Sequence, residues 1–188
     1  MRFIRDSGLD LERLRKEYRL HKAAALFANR GYHSLLIYRL ANTLYKAGIP
    51  ALPFFMTRLV QILYSIDIDY RADISGGIVI IHGVGIVIGQ GAVIRTGATI
   101  YHGVTLGRKK QGFVIPSDDG FPTIESNCTL GAGAKILGPV LIGTNCIIGP
   151  NCVVTEDVPE DHTVKLGSLA FSSRSRTQRS VYNDLNVY

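Results

Sequence analysis

The chain contains no tryptophan, two methionines and three cysteines, Cys128, Cys146 and Cys152. None of the cysteines forms a CxxC pair, and Cys128 and Cys146 fall eighteen residues apart in a series of small residues. They read as small buried core residues, not as a disulfide frame or a metal site. A reducing, cytoplasmic compartment is the expected setting. With aromatics at 9% and no aromatic platform interleaved with basic residues, nucleic acid is not an expected partner. Long apolar runs are also scarce. Met1-Arg-Phe-Ile-Arg-Asp is followed by no apolar h-region, so no signal peptide is expected. Residues 49–66 are apolar but interrupted by Pro50, Pro53, Arg58 and Gln61. They suit an amphipathic packed helix better than an integral membrane span. Acidic residues are in the minority, 15 against 21 Lys and Arg, for a net charge of +6. That balance favours anionic ligands without choosing among them.

What is present is a repeat of six. Ile88, Ile94, Ile100 and Leu106 keep that spacing, as do Ile124, Leu130, Ile136, Ile142, Ile148 and Val154. A second, mostly small series accompanies them: Ile80, Ile86, Ala92, Ala98 and Val104, then Cys128, Ala134, Val140, Cys146 and Cys152. Six is neither the helical period of 3.6 nor the strand period of 2. It fits a parallel β-helix in which each hexad is one short strand and a turn, three hexads close a coil, and residues eighteen apart stack. The alternative is a glycine-rich antiparallel β domain.

Before the repeat, the apolar pattern predicts helices over about 9–30, with Asp10 as N-cap, over 32–47 after a break at Gly31, and over 53–65. The hexads stop over 107–123, which reads as an extruded loop holding Lys109, Lys110, Pro116, Asp118 and Asp119. Long loops of this kind often carry function. The tail after 170 reads as a solvated end.

Titratable residues are rare in the coils. His82 falls in the phase of the large aliphatic series and is expected to replace an aliphatic residue there. It is either a structural histidine or a chemical one. His102 follows one coil later, and Asp67 lies fifteen residues before His82. A carboxylate on one imidazole nitrogen fixes the tautomer and leaves the other nitrogen to act as general base.

The repeat, the runs Asp67-Ile-Asp, Ile81-His82-Gly-Val-Gly-Ile-Val-Ile-Gly, Gly103-Val-Thr-Leu-Gly and Gly131-Ala-Gly-Ala-Lys-Ile-Leu-Gly, and the preceding Gly31-Tyr-His-Ser-Leu-Leu-Ile-Tyr-Arg39 resemble the serine acetyltransferase family over about residues 15–167. The resemblance implies an α+β chain, with an N-terminal α-helical region at 1–66 and a left-handed parallel β-helix of hexapeptide repeats at 67–170. It also implies a homotrimer and acetyl-CoA as donor, with no metal. By position, His82 matches the family's general base and Asp67 its partner. Ala132 matches a position that meets CoA, Arg108, following Gly107, lies near another, and the cations Arg108, Lys109 and Lys135 are candidates for the CoA phosphates. His102 stands where the family commonly has Gln. The departures fall on the acceptor side. Gly120-Phe121-Pro122 replaces a motif whose His helps hold the substrate carboxylate, and Lys16, beside Glu17, replaces an Asp that helps bind the amino acid. An unpaired charge in a desolvated site costs several kcal/mol. The departures therefore lead to the expectation of a non-serine acceptor, a sugar or small-molecule hydroxyl, lying against Phe121, His102 and Glu17. A serine O-acetyltransferase of cysteine biosynthesis and a non-catalytic β-helix scaffold are the alternatives. The ending Asn186-Val187-Tyr188 lacks the family's terminal Ile, so docking into a cysteine synthase complex is not expected.

Overall fold

The computed structural model describes residues 2–19, 23, 27, 29–109 and 120–167. Among the described residues fourteen short strands follow three helices, and the strands pair in parallel into three sheets. The first sheet stacks β1 (Ile66–Ile68), β4 (Ile86–Ile88), β7 (Thr105–Gly107), β10 (Lys135–Leu137) and β13 (Val153–Val154). The second stacks β2 (Asp73–Ile74), β5 (Val93–Ile94), β8 (Thr123–Ile124) and β11 (Leu141–Ile142). The third stacks β3 (Val79–Ile81), β6 (Thr99–Tyr101), β9 (Thr129–Leu130), β12 (Ile147–Ile148) and β14 (Thr163–Val164). The chain visits the three sheets in rotation, as a three-sided parallel β-helix requires. The large series from Ile88 to Val154 and its small companions line the interior and are buried throughout. Each large aliphatic side chain contributes roughly 1.5–3 kcal/mol by leaving water.

The register shows where the rhythm is broken. Val87 pairs with Thr105 and Lys135 with Val153, eighteen residues on in each case. Thr99 pairs with Thr129 and Thr105 with Lys135, thirty residues on, so the coil between them carries an insertion twelve residues long. The core of the expected loop, residues 110–119 with Lys110, Pro116, Asp118 and Asp119, lies outside the described residues, as does the tail from 168. The first coil differs too. Ile66 pairs with Ile86, twenty residues on.

The helices are α1 (Arg2–Tyr18), α2 (Arg30–Lys46) and α3 (Leu52–Tyr64). The first begins before the expected 9–30 and ends where Arg19 turns to φ 50°; residues 20–22, 24–26 and 28 of the expected helix lie outside the described residues. The apolar pattern missed its start because α1 buries Asp6, Ser7 and Asp10 along with Leu14. Asp10 is not a cap. It lies mid-helix and receives Arg39 Nε and Nη2 at 2.7 and 3.0 Å and the Ile78 N–H at 2.9 Å. Arg39 also donates to the carbonyls of Ile74 and Ser75. A pair this buried is tolerable because its remaining hydrogen-bonding capacity is used. Together these bonds fasten α1 and α2 to the first coil. The cap of α2 is Asn29, whose side chain accepts the Tyr32 N–H at 2.8 Å. Gly31 is no breaker but lies in the first turn of α2, where a Cβ would come within 2.7 Å of the Ile80 carbonyl oxygen. A glycine there lets the helix lie directly on β3. α3 buries only Pro53 and Val60 and leaves Phe55, Leu59, Ile62 and Leu63 exposed on this chain. No helix among the described residues is long and apolar enough to cross a membrane.

Candidate active site

The imidazole of His82 does not enter the aliphatic series. Ile81 pairs with Tyr101 and Val87 with Thr105, so the chain uses two more residues between Ile81 and Val87 than between their partners. The extra pair is His82-Gly83, with φ 64° and 76°. Gly83 N–H returns to the Ile81 carbonyl at 2.8 Å, and Ile86 N–H to that of Gly83 at 3.1 Å. This tight turn throws His82 outward at the corner between the third and first sheets, and the side chain is exposed. Ile80, assigned from spacing to the small series, instead pairs with Ile100 in the large one. Counting by sixes across the insertion misassigned both residues. The pair of left-handed residues is a signal of the turn, since His seldom adopts positive φ without a local reason.

The same corner gathers other candidates. Gly103 N–H donates to the Val84 carbonyl, Gly133 N–H to that of His102 and Asn151 N–H to that of Ala132. Val84, His102 and Ala132 therefore stack on successive coils. The ring of His102 stands 5.8 Å from that of His82, edge to face. On the outer surface of the first sheet, Asp67 lies beside Val87, and Thr105 beside Lys135. Lys135 Nζ bonds to the Gly103 carbonyl, which draws its cation toward the corner. Asp67 is on β1, next to Ser65 and Ile66, against which the His82 turn packs. Gly85 N–H bonds to the Ser65 carbonyl at 2.8 Å, and a Cβ on Gly83 would meet Ile66 Cδ1 at 2.5 Å.

Asp67 and His82 are neighbours in the fold but are not joined by a hydrogen bond among the described residues. Asp67 Oδ2 instead accepts from Gln61 Nε2 at 3.1 Å. Burial pushes the Asp67 carboxyl above its ordinary range, Arg58 pulls it down, and Asp69 adds to the rise. Gln61 and Arg58, on α3, were not singled out from the sequence. Only the packing of α3 over β1 brings them to the carboxylate.

Other expected site residues lie elsewhere. Gly107 ends β7, the central strand of the first sheet, away from the His82 corner, and Arg108 follows it with its guanidinium carbon 5.0 Å from the centre of the Phe121 ring. Phe121 was expected to face the acceptor. Its ring lies over Gly89 and Gly91, at the corner between the first and second sheets, packed against the core. Two glycines leave a flat bed that one side of the ring fills. Glu17 is exposed near the end of α1. Burial, then Tyr101 and Glu17, push the neighbouring Tyr18 hydroxyl upward, which places this end of α1 by the residue before His102. Lys16 pairs with Glu12 at 2.8 Å along the helix.

A cavity of about 310 Å³ lies between α1, α2 and β2 and is lined by Arg2, Asp6, Tyr38, Arg39 and Lys46 among others. It shares no residue with the His82 corner, and the titratable chemistry is at the corner. Among the described residues no three His, Cys, Asp or Glu side chains gather as metal ligands.

The three-sided hexad β-helix, with an outward histidine at one corner, agrees with comparisons with known proteins. The family model described as bacterial transferase hexapeptide (six repeats) matches residues 121–156. The chain belongs to the serine acetyltransferase family. It is similar to the serine acetyltransferase of Synechococcus elongatus, 40% identical over 134 residues, which are 71% of this chain and 53% of that one. It is similar to the structure of Neisseria gonorrhoeae serine acetyltransferase in complex with serine, at TM-score 0.80 and 30% identity, covering 90% of this chain and 68% of that one. A serine acetyltransferase structure in complex with CoA matches at TM-score 0.77 and 29% identity, over 86% of this chain and 66% of that one. The chain spans about half the length of the curated relatives it matches.

Proposed function

We propose that the protein transfers an acetyl group from acetyl-CoA to the hydroxyl of L-serine. The observation that carries this reading is the two-residue insertion that turns His82 out of the core beside the strand bearing Asp67. A scaffold gains nothing from a left-handed histidine at a corner, and strain of this kind costs of order 1–3 kcal/mol unless it serves a purpose. Likeness to relatives solved with serine and with CoA supports the two substrates.

In this reading His82 takes the proton of the serine hydroxyl as its oxygen attacks the thioester carbonyl, and Asp67 stabilises the imidazolium that forms. Backbone N–H groups of the corner stabilise the tetrahedral oxyanion. The C–S bond then breaks, and the imidazolium proton goes to the departing CoA thiolate. No acetyl-cysteine is required, since all three cysteines are buried in the core. Ala132 and Lys135, stacked above the same corner, would lie along the pantetheine. The exposed apolar face of α3 suits a homotrimer in which the CoA groove lies between two chains.

The earlier expectation of a sugar acceptor loses its main physical support, because Phe121 is occupied as packing. A second reading, a hydroxyl acceptor without an ammonium group, is favoured only by the cation Lys16 on α1. Release of CoA thiol with L-serine, compared with a panel of sugars, separates the two. Serine must turn over far faster than any sugar, and the reverse order rejects the proposal.

A further inference from the structure

We propose that Gln61 is a positioning residue for Asp67, its side-chain amide oriented by Arg58 so that the carboxylate is held ready for His82. This inference rests on reading His82 and Asp67 as the proton-transfer pair. Arg58 and Gln61 are three apart on α3 and so share a face. Arg58 Nη1 donates to Gln61 Oε1. A guanidinium can only donate, so it fixes which end of the amide is oxygen. Nε2 must then point the other way, and it donates to Asp67 Oδ2 at 3.1 Å. Arg58 is itself steadied over the Phe54 ring, with its guanidinium carbon 5.2 Å from the ring centre. The carboxylate thus has one oxygen anchored from the helix side, leaving Oδ1 for the imidazole of His82.

The surroundings explain why such an anchor matters. The charged and titratable groups that line one cavity with Asp67 are Arg58 from α3 and Asp69, Tyr70 and Arg71 from the end of β1 and the turn after it, with Arg71 paired to Asp69; His82 and His102 stand together at the adjoining corner. Burial and Asp69 both push the Asp67 carboxyl upward. A donor to the charged form, backed by a cation, opposes that rise. A bond that merely tied α3 to β1 would have no such effect on the reaction.

The test uses the full chain and thiol release from acetyl-CoA with L-serine across pH. Gln61→Ala is expected to lower kcat roughly tenfold, as for one lost hydrogen bond to a charged group, with KM for acetyl-CoA and the melting midpoint close to wild type. Gln61→Glu sets a second carboxylate against the first. The added negative charge makes both Asp67 and His82 hold protons more tightly, so the acidic limb of the kcat/KM profile moves up by about one pH unit. Arg58→Met moves it the same way, and Arg58→Lys returns it toward wild type. Wild-type kcat and an unmoved limb in both Gln61 variants overturn the proposal, as do rates that fall only in step with thermal stability. Asp67→Asn separates the two readings. If it is inactive while Gln61→Ala is unaffected, the positioning role alone fails; if it is as fast as wild type, the His82–Asp67 pair fails and the positioning role with it.

Discussion

The rings of His82 and His102 stand 5.8 Å apart, inclined at 67°. They reach this position by different routes. His102 lies on a regular corner, stacked between Val84 and Ala132, whereas His82 occupies a two-residue insertion in left-handed backbone. The insertion lets a histidine precede the regular corner position and still face the solvent. Its integrity is therefore a condition for any chemistry at the corner.

Gly83→Ala tests that condition. Gly83 has φ 76°, and an added Cβ would lie 2.5 Å from Cδ1 of the fully buried Ile66. Backbone strain of this kind costs about 1–3 kcal/mol. Urea denaturation should show a loss in that range, accompanied by a drop in acetyl transfer. An unchanged midpoint would mean that the turn is not held as described.

Phe121→Ala should destabilise the protein and leave the acceptor alone. The ring covers Gly89 and Gly91 and is only partly buried. The expected cost is about 2 kcal/mol, below the roughly 3–5 kcal/mol of a fully buried phenylalanine. Thermal denaturation measures the first effect and KM for serine the second. A large change in KM at unchanged stability would restore the acceptor-binding role.

The cysteines should behave as core residues. Burial pushes the Cys128 thiol up to about 11, and its Sγ lies 3.1 Å from the Gly143 carbonyl oxygen. At pH 8 the thiol is therefore protonated, and reactivity through the thiolate is lost until the pH approaches that value. A thiol-specific chromogenic reagent should label none of the three cysteines in the native protein and all three in denaturant. Rapid native labelling of Cys128, or loss of activity on alkylation, would contradict the assignment.

The β-helix was legible because its physics is periodic. Ile94, Ile124 and Ile142 each fill the same interior position, and one residue out of phase would expose a large aliphatic side chain. The limits of that reading have the same origin. A period says nothing about an insertion shorter than itself, and so His82 was counted into the aliphatic series and Ile80 into the small one. The helices were less legible for another reason. Asp10 is a buried charge whose partner, Arg39, is distant in sequence, and Asp6, buried beside the same guanidinium, also pairs with Arg2 and Arg5, so α1 looked shorter at its start than it is. Asp67 and His82 were singled out by resemblance and by their spacing. Gln61 and Arg58 could not be, because they reach Asp67 only through the packing of α3 on β1. The packing of Phe121 was not legible because the glycines that receive its ring, Gly89 and Gly91, are about thirty residues earlier in the chain.

The most direct test of the account is acetyl transfer to L-serine by wild type and by His82→Asn. Asparagine tolerates the left-handed backbone that this position needs, so the fold should be retained while the base is lost. The account predicts acetyl-CoA-dependent O-acetylserine formation by wild type and a fall in kcat of about 10²–10⁴-fold in the variant, at an unchanged melting midpoint. A His82→Asn protein that acetylates serine at the wild-type rate would contradict it.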